Sequence, residues 1–445
     1  LTATFSKVNR AIEDAESYRV LGRVADVVGL IVESNGPNAK IGDLCYIEAP
    51  PGKLSGGNPE PDLPCEVVGF RGDRCLLMPL GELSGIRVGA LVRATGGCLA
   101  IPVGPELLGR TLNGLGDPMD GFGPLRTRQT YPVLNTPPNP LERTMICKPL
   151  PTGVRAIDGM LTLGEGQRMG IFAGSGVGKS TLLGMIARNC AADVNVIALI
   201  GERGREVREF MENDLGVEGL KRSVIVCATS EQSALVRIKA AFSATAIAEY
   251  FRDQGKSVLL MMDSVTRFAM AQRELGLALG EPPSTKGYTP SVFALLPKLM
   301  ERAGTGAKGA ITALYTVLVE GDDTNEPIAD ATRSILDGHI LLSRKLTSRG
   351  HYPPIDVLSS LSRTMPMVVE RNQIELARTT RELMAAYEDV SDLVQIGAYK
   401  SGSNPLSDAA IARKPFIDEF LRQDKAAASR WDQTLAKMST IPPKK

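Results

Sequence analysis

Hydrophobic positions change their period from one stretch of the chain to the next. From Arg19 to about Val92 they come in short runs, such as Val27-Val28-Gly29-Leu30-Ile31-Val32 and Cys75-Leu76-Leu77-Met78. Gly, Pro and Asp turns separate these runs at short intervals, which predicts a small β-barrel over residues 19–92. Residues 93–150 are rich in Gly and Pro and read as an irregular connector packed onto the next domain. Between residues 151 and 365, apolar runs alternate with helical-period segments, the pattern of a parallel sheet with helices on both faces. One unit shows the logic. Thr229 and Gln232 have capping-box spacing, Leu235, Ile238 and Phe242 follow at helical intervals, and Gly255 stops that helix. Ser257-Val258-Leu259-Leu260-Met261-Met262 is then a buried strand ending at Asp263. From about residue 370 the helical period alone remains: Leu376, Leu383, Met384, Tyr387, Val390 and Val394 share a face, and Pro415 is placed to begin another short helix. Residues 1–18 hold Phe5, Val8 and Ile12 at helical spacing, either a short partner-binding helix or a frayed terminus. The expected division is thus a segment at 1–18, a barrel at 19–92, an α/β domain at 93–370 and a helical domain at 371–445.

The α/β stretch opens on its most specific feature. An apolar strand, Met169 to Phe172, runs into Ala173-Gly174-Ser175-Gly176-Val177-Gly178-Lys179-Ser180-Thr181 and then onto Leu182, Leu183, Met185 and Ile186. Strand, glycine loop and helix in that order make a phosphate-binding P-loop. Its glycines let the backbone curl so that successive N–H groups of residues 174–178 point at phosphate oxygens. The first turn of the helix, through Thr181, adds unpaired N–H groups and a positive dipole end. Lys179 is placed to reach the β- and γ-phosphates, and the Ser180 hydroxyl to bind Mg²⁺. The strict pattern begins with Gly where this chain has Ala173, at the loop's entry and away from the phosphate cradle. A chance glycine-rich turn would lack the flanking strand and helix.

Composition narrows the field. Lys plus Arg number 51 and Asp plus Glu 50, so the chain lacks the basic footprint of a dedicated nucleic-acid binder. Its apolar fraction of 43% is that of an ordinary globular protein. No apolar run is long enough to span a bilayer, and no secretory signal is visible. Seven cysteines without paired metal spacing point to reduced thiols and a cytoplasmic location. With only His339 and His351 present, histidine-based metal or triad chemistry is a poor fit.

Three further places carry candidate chemistry. Asp263, at the end of its apolar strand and about 80 residues after the P-loop, is the expected second Mg²⁺ partner. Ile197-Ala198-Leu199-Ile200-Gly201-Glu202-Arg203 is another strand-to-loop junction. Hydrolysis of a nucleoside triphosphate needs a carboxylate to orient the attacking water, and Glu202 is the choice, with Arg203 a second contact to the γ-phosphate. A solvated charged loop remains the alternative there, since Glu206, Arg208 and Glu209 follow closely. In the run from His351 to Arg363, Tyr352, braced by Pro353, could stack on adenine, and Arg363 could reach a neighbour's nucleotide as an arginine finger. Ordinary core packing and a surface ion pair are the alternatives for those two.

Together these residues resemble the catalytic subunits of the ring-forming rotary ATPase superfamily from about Gly22 to Leu421. The motifs stand in family order: Gly153-Val154-Arg155-Ala156-Ile157-Asp158, the P-loop, Gly201-Glu202-Arg203, Asp263-Ser264-Val265-Thr266-Arg267, and Pro353-Pro354-Ile355-Asp356 with Ser360, Ser362 and Arg363. The resemblance implies a small N-terminal barrel, a central RecA-like P-loop domain and a C-terminal helical domain. It also implies ATP and ADP as ligands with Mg²⁺, a homo-hexamer, Tyr352 against the adenine and Arg363 supplied to the adjacent subunit.

Within the superfamily the flagellar type III protein-export ATPases are the most similar family. They match in Phe210-Met211-Glu212-Asn213-Asp214-Leu215-Gly216, Phe268-Ala269-Met270-Ala271-Gln272-Arg273-Glu274, Gly280-Glu281-Pro282-Pro283, Tyr288-Thr289-Pro290-Ser291-Val292-Phe293, Glu320-Gly321-Asp322-Asp323 and Glu326-Pro327-Ile328-Ala329-Asp330. The virulence-secretion ATPases share most of these runs and are the alternative. An ATP synthase catalytic subunit would carry an acidic cluster where this chain has Tyr399-Lys400-Ser401-Gly402-Ser403-Asn404-Pro405. A hexameric RNA translocase would need a basic, aromatic-lined N-terminal domain. The family further implies a stator-like regulator on residues 1–18, a coiled-coil stalk protein in the pore, contacts with an export gate and chaperone–substrate complexes, and peripheral association with the cytoplasmic membrane.

Overall fold

The computed structural model describes residues 20–49, 61–83, 85–319 and 326–441. The segment expected at 1–18 to bind a regulator lies outside the described residues, as does the run from Glu320 to Asp323.

The described residues up to Leu99 form one compact unit and those from Ala100 onward another. The first is a closed antiparallel barrel of six strands: β1 (Gly22–Val28), β2 (Ile31–Asn35), β3 (Asp43–Ile47), β4 (Leu63–Arg71), β5 (Arg74–Pro79) and β6 (Leu91–Cys98), in the order β1-β2-β5-β4-β3-β6. Alternate residues Val24, Val32, Cys45, Ile47, Cys65, Val67, Leu77 and Val92 fill its interior, as the two-residue period of a strand requires. The run Val27–Val32 is a hairpin rather than one strand, because Gly29 takes φ +60° and turns the chain. The last strand continues beyond Val92 to Cys98. β6 pairs with both β1 and β3 to close the barrel, and Thr95-Gly96-Gly97, of loop composition, falls in the register shift between the Ala94–Cys45 and Cys98–Asp43 pairs.

The second unit is built on a sheet ordered β17-β16-β10-β15-β13-β11-β12-β8. Its strands are β8 (Thr111–Asn113), β10 (Arg168–Ala173), β11 (Val194–Ile200), β12 (Ser223–Ala228), β13 (Ser257–Asp263), β15 (Ala310–Leu318), β16 (Gly338–Leu342) and β17 (Ile355–Ser362), with the short β14 (Gly304–Thr305) attached to β15. All pairs along that order are parallel except β16 with β17. Ile197 and Leu199 of β11 face the core that holds Leu182, Leu183 and Ile186 of the helix Lys179–Asn189. The intervening Val196, Ala198 and Ile200 are equally buried, which is why the strand reads as an unbroken apolar run.

The helix Ala234–Asp253 is buried almost all round. Ser233 caps it, its hydroxyl accepting from the Val236 N–H, so the capping box expected from Thr229 and Gln232 does not form. Those residues make a turn instead, in which the Thr229 hydroxyl bonds Glu231 and the Gln232 N–H bonds the Thr229 carbonyl. Gly255 follows that helix at φ +82°, the conformation that stops it.

The connector is less irregular than its composition predicts. It supplies β8 to the sheet and an antiparallel ribbon of β7 (Ala100–Val103) and β9 (Gln129–Pro132). Ser243 donates to the Gly114 carbonyl at 2.8 Å, and Tyr131 meets Tyr250 edge to face at 5.7 Å. The chain ends in three helices, Arg371–Gln395, Pro405–Leu421 and Trp431–Ser439. Pro415 lies inside the second of these instead of starting it. Asn404 and Pro405 provide the stronger start, with the Asn404 side chain accepting from the Leu406 and Ser407 N–H groups at 2.9 and 3.3 Å. Past Pro415 the helix is held by Ile417, Phe420 and Leu421, all in the core, so the one backbone bond that proline forgoes is tolerated.

Candidate functional site

Parallel strands present their carboxyl ends along one edge of the sheet, where ligands of such folds bind. Here β10 delivers the glycine loop, and β13 and β11 end at Asp263 and just before Glu202. Gly176 and Gly178 take φ +74° and +103°, which a Cβ would resist. Gly178 is the N-cap of the helix Lys179–Asn189 and no side chain caps that helix, so its first N–H groups are left for an anion. A cleft of about 780 Å³ opens here, lined by the loop, Ser180, Thr181, Glu202, Arg203 and Arg267 among others. Val177 is the exception within the loop. Its side chain is buried in the core, and its carbonyl accepts from the Thr347 hydroxyl at 3.2 Å.

Lys179 lies between two carboxylates. Its Nζ pairs with Asp263 Oδ1 and stands 3.5 Å from Glu202 Oε1. Asp263 Oδ1 also accepts from Thr316 on β15 at 2.8 Å. Burial works against the Lys179 charge, but Asp263 and Glu202 outweigh it and hold its pKa above the usual value. Burial pushes the Glu202 carboxyl up to about 7; the Lys179 cation opposes this, whereas Asp263 and Glu206 reinforce it. Glu206 has its pKa lowered, chiefly by its hydrogen bond with Glu202. Arg203 borders the cleft with its side chain 75% exposed, 3.8 Å from Glu206.

Tyr352 and Arg363 flank β17 and end up at opposite ends of the sheet. Leu342 of β16 pairs with both Ala173 and Ile355, so the start of β17 lies beside the P-loop. Tyr352, 48% exposed, and Pro354 are the side chains next to Gly178. Because β17 runs antiparallel to β16, Arg363 follows its far end, about 25 Å away at strand rise. There its Nη1 donates to the Leu336 carbonyl at 3.4 Å. A single chain therefore does not bring Arg363 to its own P-loop.

Other residues join the site that the sequence reading did not single out. Thr316 braces Asp263, and Arg344 borders the cleft with Nη2 3.4 Å from the Ser175 carbonyl. Arg267, part of a recognised motif but given no role, has a buried Nε without a hydrogen-bond partner. That side chain lines the same cleft, where an anion would satisfy it, and no sequence signal beyond its motif marked it. The Ser180 hydroxyl and the Asp263 carboxylate are oxygen donors of the kind a hard cation takes. Among the described residues no cluster of three or more His, Cys, Asp or Glu could hold a metal alone. A cation whose remaining ligands are phosphate and water fits this donor set. All seven cysteines are free, and among the described residues no helix is long and apolar enough to cross a membrane.

A barrel unit, and a parallel sheet with a P-loop facing two strand-end carboxylates, define a P-loop nucleotide-binding protein. Residues 24–96 match the β-barrel domain of the ATP synthase alpha/beta family, and residues 153–362 match its nucleotide-binding domain. Residues 369–440 match the C-terminal domain of the type III secretion ATPase EscN. The chain belongs to the ATP synthase alpha/beta family, in the branch of flagellum-specific ATP synthases and type 3 secretion system ATPases. It is 52% identical to the flagellum-specific ATP synthase of Bacillus subtilis over 97% of each chain. It is also 52% identical to the type 3 secretion system ATPase of Xanthomonas euvesicatoria, over 95% of this chain and 94% of that one. The assembled ATPase EscN from enteropathogenic E. coli superposes with a TM-score of 0.87 at 46% identity, covering 94% of this chain and 99% of that one.

Proposed function

We propose that this chain hydrolyses ATP to ADP and phosphate and thereby energises flagellar type III protein export, releasing export substrates from chaperones and feeding them into the export gate. The observation that carries hydrolysis is Lys179 held between Asp263 and Glu202 at the mouth of the glycine loop. On ATP binding Lys179 turns to the β- and γ-phosphates, and the free N–H groups of the loop and helix start take the remaining oxygens. Ser180 and Asp263 would hold Mg²⁺, which would supply positive charge against the phosphates. Glu202 orients the attacking water and draws on its proton as the oxygen closes on the γ-phosphorus and the bond to ADP breaks. Arg203 and Arg267 face the γ-phosphate oxygens, and Tyr352 stacks on the adenine. Arg363 acts on the nucleotide of an adjacent copy, because its own P-loop lies at the other end of the sheet.

That division between copies calls for a closed ring, here a homo-hexamer. The assembled EscN, and the structure of EscN in complex with its central stalk EscO (TM-score 0.85, 45% identity), support an assembly of copies around a central stalk protein, read here as a coiled coil. A stator-like regulator on residues 1–18 and peripheral membrane association at the export apparatus complete the reading.

Virulence secretion is the second reading, favoured by the equal 52% identity to a type 3 secretion system ATPase. Two measurements test the proposal. Purified protein should release phosphate from Mg²⁺–ATP, with Glu202→Gln inactive. Expression in a bacterium lacking its flagellar export ATPase should restore swimming. Failure there, with restored effector secretion in a strain lacking its injectisome ATPase, would transfer the assignment to virulence export.

A further inference from the structure

The segment Phe210–Leu215, which none of the roles above uses, is a π-helical turn. It continues the helix Gly204–Glu209, whose N-cap is Arg203, directly after Glu202. The Gly216 N–H closes it on the Met211 carbonyl, five residues back. Its ends, Phe210 and Leu215, are both buried in the core around Leu182, Leu183 and Ile186 of the P-loop helix. In an α-helix residues five apart point about 140° from each other. The wider π-turn brings them towards one face, so both anchors enter the core that also holds the P-loop helix.

Asp214, between those anchors, meets the P-loop helix where there is no slack. A Cβ at Gly184 would stand 2.6 Å from Asp214 Cβ and 2.7 Å from its carbonyl oxygen, well inside van der Waals contact. The Asp214 carboxylate is half-buried and faces Arg188 from the same helix and Lys425 from the C-terminal segment, with Glu209 the nearby like charge. Arg188 Nη2 in turn donates to the Lys425 carbonyl at 2.6 Å. One short stretch of chain therefore joins the helix that begins with Lys179 to the loop that bears Glu202.

We propose that the π-turn, seated at Asp214 on Gly184 with the charges of Arg188 and Lys425 nearby, is the positioning element that sets Glu202 relative to Lys179. Asp214 touches no reacting atom and acts only through Glu202, so the proposal rests on Glu202 being the hydrolytic carboxylate. The distance it controls, 3.5 Å from Lys179 Nζ to Glu202 Oε1, also governs the ionisation of Glu202, since Lys179, Asp263 and Glu206 all act on it.

The test compares Gly184→Ala, which wedges the two elements apart, with Asp214→Asn, which keeps the volume and removes the charge. Both are measured in the full-length assembled protein beside Glu202→Gln. Each should lower kcat about tenfold with KM for Mg²⁺–ATP within about twofold, and shift the pH midpoint of kcat/KM. A merely structural role would lower the melting temperature and leave kcat and that midpoint alone. Wild-type kcat and midpoint in Asp214→Asn would overturn the inference, and this variant decides the matter should Gly184→Ala fail to fold. Hydrolysis at wild-type rate by Glu202→Gln would instead overturn the underlying reading of Glu202.

Discussion

Burial beside Asp263 and Glu206 places the Glu202 carboxyl at about 7 in the nucleotide-free protein, and this has a kinetic consequence. The profile of kcat/KM reports the ionisation of the free enzyme. If Glu202 must be ionised to orient water, kcat/KM for Mg²⁺–ATP rises with pH through a midpoint near 7. About a tenth of the molecules are competent one unit below that midpoint and about nine-tenths one unit above it, a nearly tenfold span. Glu206→Gln removes the negative charge that helps to raise Glu202 and offers an amide N–H to its carboxylate, so it should move the midpoint below 7. Glu202→Gln should lose about 10²–10⁴ in rate and, with it, the inflection. The assay is phosphate release at ATP concentrations below KM from pH 5.5 to 8.5, with Mg²⁺ in excess. The Glu202→Gln profile carries any titration of the nucleotide itself. A flat wild-type profile from pH 6 to 8, or a Glu206→Gln midpoint identical to wild type, would refute the reasoning.

Lys179→Ala should weaken binding of a fluorescent ATP analogue, whereas Glu202→Gln should bind it near-normally yet barely hydrolyse; equal loss of binding in both would contradict their separate roles. Mixing Arg363→Ala subunits with Lys179→Ala subunits should recover part of the ATPase activity, since some interfaces then carry both residues, and no recovery would argue against a finger in trans. The fully buried pair of Arg302 with Glu249, bidentate at 2.8 and 2.7 Å, is completed by Arg302 donating to the Val133 carbonyl at 2.7 Å. Arg302→Met leaves a buried carboxylate with the Asn135 amide at 3.2 Å and should cost about 3–5 kcal/mol in chemical unfolding. The double variant Glu249→Met/Arg302→Met should regain most of that, and a double no more stable than the single would show that the pair is not what matters.

Much of the site could be read along the chain because its parts are local. A glycine loop between a strand and a helix is contiguous, and Asp263 and Glu202 each close an apolar run. Arg344 and Thr316 carried no comparable signal, since a strand-end arginine and a threonine inside an apolar run are ordinary until something packs beside them. Local rules also misplaced details. Thr229 and Gln232 had cap spacing that Ser233 used instead, and Pro415 looked like a helix start until Asn404 and Pro405 supplied a better one. The glycines of β6 looked like a linker but lie in a register shift within the strand that closes the barrel.

The chain by itself determined where the phosphate-type loop forms, because that requires only backbone curvature, unpaired N–H groups and a lysine within a few residues. Three matters were decided by the tertiary structure alone. The strand order sets two distant carboxylates against Lys179, burial moves the Glu202 proton to near neutrality, and the reversed direction of β17 carries Arg363 away from its own P-loop. Each depends on which surfaces exclude water from one another, and that is a property of residues far apart in sequence.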